Sequence, residues 1–108
     1  MNKLYISPAA ESDLEEIKTY ITNELENHVA ALSTVSQITK SIRILQTHAF
    51  AGAPLSSIID IESDYRFLVS KNYLIFCRAY ENTVYIDRIL YRKRDYLRIL
   101  FEDNKATE

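Results

Sequence analysis

The sequence predicts an α+β fold: an N-terminal strand, a long α-hairpin packed on a small antiparallel sheet, and a short C-terminal helix, in the order β-α-α-β-β-β. Three observations predict it. Three runs rich in β-branched and aromatic residues, at 65–70, 73–80 and 83–90, are separated only by Lys71-Asn72 and Glu81-Asn82, polar breaks of hairpin length. Upstream of them, apolar residues recur at three- and four-residue steps over two long stretches, which is the period of a helix. Between these halves lies 49–54, with the only Gly and one of the two Pro, and this is the main loop.

In chain order, residues 3–7 read as a short strand. Ser7 is placed to cap a helix, with Pro8 at its first position and Glu11, Asp13, Glu15 and Glu16 near the positive end of its dipole. Leu14, Ile17, Ile21 and Leu25 mark its apolar face, and it is expected to end near Asn27-His28. A second helix carries Leu32, Val35, Ile38, Ile42 and Leu45 on one stripe. Ser33, Ser36, Gln37, Lys40, Ser41 and Arg43 fill its other face. The stripe is expected in the core, because a three-stranded sheet needs covering to be stable. Residues 56–61 fit a short strand or an extended lead-in, and 62–64 turn the chain into the meander. The polar tail, 102–108, is expected to fray.

A chain of 108 residues holds one domain and one core. No run is apolar and long enough for a bilayer, and the N-terminus lacks the apolar core of a signal peptide. The lone Cys77 sits mid-strand, which fits a buried thiol in a reducing cytoplasm. His28 and His48 lie far from any acidic or thiol cluster, so neither a metal site nor a cofactor is expected. Net charge is −2, but it is unevenly spread. Residues 1–64 carry four Lys/Arg against nine Asp/Glu, and residues 65–108 carry nine against six. A local basic patch on an acidic chain points to a shaped site more than to a general nucleic-acid coat.

The candidate site is the end of the meander. Period-two alternation sets Arg66, Leu68 and Ser70 against Tyr65, Phe67 and Val69, and Leu74, Phe76, Arg78 and Tyr80 against Tyr73, Ile75, Cys77 and Ala79. Arg66 and Arg78 are thereby expected on one sheet face. The third strand runs through Arg88 and Tyr91 into the basic knot Arg92-Lys93-Arg94-Asp95-Tyr96. Guanidiniums and phenols without a carboxylate majority suit a polyanion, or an acidic and apolar partner segment. A regular strand sends Arg88 and Tyr91 to opposite faces. They share a site only if a bulge or the strand's end lies between them.

The run YRFLVSKNYLIFCRAYENTVYIDRILYRKRDYLRILF resembles the C-terminal half of the RelE/ParE superfamily, the toxins of bacterial type II toxin–antitoxin (plasmid stabilisation) systems. The shared features are Tyr65-Arg66 opening a strand, an apolar hairpin, and the ending Arg88-Ile89-Leu90-Tyr91-Arg92-Lys93-Arg94-Asp95-Tyr96. The opening LYISPAAESDLEEIKTYI, with its Asp13-Leu14 pair, is similar to the superfamily's first strand and helix, so the likeness spans about residues 3 to 101. Long helices look more like the ParE branch. The resemblance implies a growth-inhibiting toxin neutralised by a cognate antitoxin, as a homodimer or a toxin–antitoxin hetero-oligomer.

Two mechanisms follow from the resemblance. A RelE-like toxin is a metal-independent endonuclease that cleaves mRNA on the ribosome. Arg66 and Arg88 would then steady the phosphate, with Arg94 and Tyr96 in the matching ending. Tyr91 stands where many members have His, and a phenol that titrates near pH 10 is a poor base. A ParE-like toxin poisons DNA gyrase and needs no catalytic residue. Its target-binding surface would include Arg78, Arg92, Lys93 and Arg98. The departures favour gyrase inhibition, with mRNA cleavage and an inactive antitoxin-binding module as the alternatives.

Overall fold

Two tight turns organise the sheet. The computed structural model describes residues 1–102. The expectation of fraying falls mostly on 103–108, outside the described residues. Lys71 and Glu81 both take φ 54°, the positive φ that primed two-residue hairpin turns require at their first position. They join β3 (Arg66–Ser70) to β4 (Tyr73–Tyr80), and β4 to β5 (Thr83–Tyr91). The other strands are β1 (Lys3–Ile6) and the two-residue β2 (Ala53–Pro54). The sheet order is β1-β5-β4-β3-β2.

The expected antiparallel sheet is in fact mixed, because β1 pairs with β5 in parallel from Lys3↔Thr83 to Ile6↔Ile86. Strands running the same way need a long connection, and the α-hairpin forms part of it.

The hairpin begins as predicted. Ser7 caps α1 (Pro8–Thr19), its Oγ accepting from the Ala10 N–H at 3.0 Å. A π-helical turn, Tyr20–Glu24, extends the helix. It stops short of the expected Asn27-His28, because Glu26 turns to φ 50°. Asn27 Oδ1 then accepts from the Ala30 N–H at 2.9 Å and starts α2 (His28–Ile44).

The apolar stripes differ from expectation. Ile17 and Ile21 are buried, but Leu25 is 57% exposed. In α2 the buried line is Ala31, Thr34, Ile38 and Ile42, continued by Leu45, while Leu32 is 64% exposed and Val35 is only partly covered. The first half of α2 is turned by one residue. Small side chains at Ala31 and Thr34 let this end approach its neighbours more closely than Leu would.

Both faces of the sheet are covered. The hairpin face buries Ala10, Ile17, Ile38, Ile42, Ile75 and Ile86. The other face buries Tyr65, Leu74, Phe76 and Leu90 beneath Leu55, Ile99 and Leu100. Leu55 belongs to a 3₁₀ turn, Leu55–Ser57, where a strand or extended lead-in was expected. Ile99 and Leu100 belong to a terminal π-helical turn, Arg98–Glu102. The second face is therefore apolar, and not an open basic surface.

Candidate functional site

The arginines separate. Directly paired residues of neighbouring strands share a face, and Arg66 pairs with Cys77, not with Arg78. The expectation that Arg66 and Arg78 share a face is thus corrected. Arg66 folds back on the main loop: its Nε donates to Gly52 O at 3.0 Å, its Nη2 donates to Phe50 O at 3.2 Å, and the guanidinium lies 5.1 Å from the Phe50 ring centroid. The loop lies tight against β3, since a Cβ on Gly52 would sit 2.6 Å from Phe67 O. Arg78 lies over Tyr65 at 5.0 Å and pairs with Asp87 at 2.8 Å. Burial, followed by Asp87, pushes the Tyr65 phenol up to about 12.

A bulge puts Asp87 there. Phe76 pairs with Arg88 and Cys77 with Ile86, so Asp87 is the extra residue of β5. From Arg88 to Tyr91 the register is regular, ending at Tyr73↔Tyr91. The bulge precedes Arg88 and does not lie between it and Tyr91. The condition for a shared site is not met by the strand.

Arg88 is held by a residue 75 positions away. Its Nε and Nη2 meet Asp13 Oδ2 and Oδ1 at 2.8 and 2.9 Å, a two-pronged pair. Asp13 Oδ2 also accepts from the Ile89 N–H at 2.9 Å. Just before it, Ser7 N–H donates to Ile86 O and Ser7 Oγ donates to Asp87 O. The start of α1 thus takes over the outer edge of β5 where β1 ends. Asp13 is only 4% exposed. Its structural part was invisible in the sequence, where it showed only as one of several acids early in the helix and as half of an Asp-Leu pair.

Tyr96 also serves the core. Its ring packs on Phe76 at 5.3 Å between centroids. Arg98 lies 3.8 Å from Asp95, and both are exposed.

What remains is a rim and a cleft. The N–H of Arg92 donates to Asn72 O at 2.8 Å, tying the loop after β5 to the β3–β4 turn. This brings the Lys71-Asn72 turn beside Arg92, from which the chain runs on through Lys93 to Arg94. All four cations are exposed, and none has an ion pair among the described residues. Below the rim opens a cleft of about 660 Å³. One wall is helical, with Asp13, Glu16 and Tyr20. The other is the sheet end, with Lys71, Tyr73, Tyr91 and Arg94. The Tyr73 and Tyr91 rings meet edge-on at 5.9 Å. Burial first, then Tyr91 and Tyr20, raises the pKa of Tyr73, so this phenol stays neutral at physiological pH. Of the predicted site residues, Tyr91 and Arg94 line the cleft, and the exposed Arg92 and Lys93 lie between them in the chain. Arg88 approaches it through Asp13, while Arg66, Arg78, Tyr96 and Arg98 are elsewhere. Lys71, Tyr20 and Tyr73 were missed. Only the polarity of the Lys71-Asn72 turn hinted at the first.

A family model described as the ParE toxin of the type II toxin-antitoxin system parDE matches residues 4–96. The chain belongs to the ParE toxin family. Among solved structures, it is similar to a chain of the chromosomal ParDE toxin–antitoxin system from P. aeruginosa, with a TM-score of 0.70 and 25% identity. That match covers 84% of this chain and 96% of the other. No curated sequence matches. The ParE fold and the role of type II toxin are thereby shown, and a cognate antitoxin is the partner that the role entails. Among the described residues, no helix is long and apolar enough to cross a membrane.

Proposed function

We propose that this ParE-family toxin arrests growth by inhibiting DNA gyrase, with the basic rim and Tyr91 as its contact surface. The observation that carries the reading is the separation of the arginines. A ribonuclease needs phosphate-steadying cations and a proton-transfer group around one scissile bond. Here Arg66 clamps a loop, Arg88 is bound to Asp13, and of the site residues expected from the sequence only Tyr91 and Arg94 line the cleft. Neither histidine lines it. A contact surface has no such requirement: exposed, unpaired cations suffice for recognition.

Pulse labelling tests the target. The chain is induced without its antitoxin, and thymidine and amino-acid incorporation are followed over the first minutes. Thymidine incorporation should fall first. An earlier collapse of protein synthesis would move the target to the ribosome and make Tyr91 and Arg94 catalytic candidates. Arrest of neither would leave an inactive antitoxin-binding module. Arg94→Ala should weaken growth arrest several-fold while far-UV circular dichroism is unchanged.

A further inference from the structure

The cleft combines features that recognition of an antitoxin or of a protein target does not by itself require. Three phenols, Tyr20, Tyr73 and Tyr91, gather around one opening of about 660 Å³. Tyr20 is 55% exposed and Tyr91 38%, so aromatic surface is open at its mouth. Such surface is costly to leave in water and suits a flat partner. The cations above it are unneutralised among the described residues, and two of them share one wall. Lys71 and Arg94 line the sheet side, and the exposed Arg92 and Lys93 precede Arg94 in the chain. The opposite wall bears Glu16, which would repel an anion and could accept hydrogen bonds from exocyclic amines.

A basic track beside stacking platforms is the arrangement that takes up single strands of nucleic acid. The track gives backbone contact, and the ring faces accept any base. A duplex fits less well, since its bases are already stacked on one another.

We propose that the cleft binds a single-stranded nucleic-acid segment, with a base stacked at its mouth between Tyr91 and Tyr20 and the flanking phosphates at Lys71 and Arg94. Glu16 keeps the phosphates on the sheet wall. The inference rests on the rim being the working surface of the toxin, but not on gyrase being the target. The segment is DNA if the target is a gyrase–DNA complex, and RNA if it is ribosomal.

Binding is measured directly on the full chain. The probes are oligothymidylate, oligouridylate, a duplex of equal length, and inorganic polyphosphate. The chain has eight Tyr and no Trp, so stacking is read as quenching of tyrosine fluorescence. Oligothymidylate or oligouridylate should bind at least tenfold more tightly than the duplex, and quench. The stronger of the two identifies the strand type. Affinity should fall with salt at a log–log slope of about −0.7 per phosphate neutralised. Lys71→Ala with Arg94→Ala should flatten that slope by about 1.4. Tyr91→Ala should weaken binding about tenfold with the slope retained. The exposed Tyr20→Ala should act in the same direction, and it guards against a folding defect in Tyr91→Ala. Absence of binding, or equal binding of polyphosphate without quenching, overturns the proposal. If thymidine incorporation still falls first in cells, only the nucleic-acid contact is lost and the gyrase reading stands.

Discussion

Arg88 and the basic residues that follow it within a few positions meet opposite fates. Arg88 lies at the outer edge of β5, where α1 brings Asp13 within 2.8 Å. Lys71, Arg92, Lys93 and Arg94 lie where β3 and β5 run out into turns, with no ion pair among the described residues. The difference is not in the cations. It is in whether a distant element delivers a carboxylate to them. A paired cation braces the fold, whereas an unpaired one remains available to a partner.

The sharpest way to break this contrast is at Asp13. Asp13→Asn removes the carboxylate that meets the partly buried Arg88 guanidinium with two hydrogen bonds, which costs about 3 kcal/mol. The lower end of the usual range applies, because the Arg88 side chain keeps 28% of its exposure. Thermal unfolding should drop by about 10 °C or more. Asp13→Leu with Arg88→Met should recover over half of the loss, because removing both charges ends the imbalance. A drop of only a degree or two would mean that the pair does not brace the fold.

A second test uses pH and reports on the packed sheet. Burial pushes the Cys77 thiol up to about 11 and the Tyr65 phenol up to about 12. The folded chain then holds protons that the unfolded chain releases above about pH 9, so stability must fall as pH rises. The Cys77 part is complete below pH 9 and is lost by about pH 11. The Tyr65 part is lost between about pH 10 and 12. Each shift corresponds to about 3 kcal/mol when fully expressed. Urea midpoints measured from pH 8 to 10.5 should decline, and Cys77→Ala should make the decline shallower. A flat profile would contradict the burial of both groups.

The smallest effect on stability belongs to the rim. Arg92→Ala with Lys93→Ala should change unfolding free energy by less than about 0.5 kcal/mol, yet reduce growth arrest clearly. Full toxicity in this variant would erase the contrast, since the unpaired group would then be a solvated surface.

The legible parts of the fold are those set by neighbours in sequence. The Ser7 cap and the Lys71-Asn72 and Glu81-Asn82 turns depend on residues within a few positions, and all were read from the chain. The phase of α2 was not, because Leu32 and Val35 look more like core than Ala31 and Thr34 do. Steric room decides that choice, and the other elements define the room. The bulge at Asp87 carries no glycine to announce it. The site was legible only as a concentration of charge. Nothing in the sequence says that Asp13 reaches Arg88, or that the Arg92 N–H finds Asn72 O and draws Lys71 into the rim.

The turn at Lys71 has a wider consequence. Its φ of 54° is one that glycine or asparagine adopts more cheaply, and a long side chain there costs roughly 1 kcal/mol. An engineer seeking a sturdier molecule would begin with Lys71→Gly or Lys71→Asn, and would gain thermal tolerance while removing a charge from the rim. With the rim as the proposed working surface, stabilising this hairpin and keeping the toxin potent become opposing aims at one position. A library selected for heat resistance alone should drift toward harmless variants there.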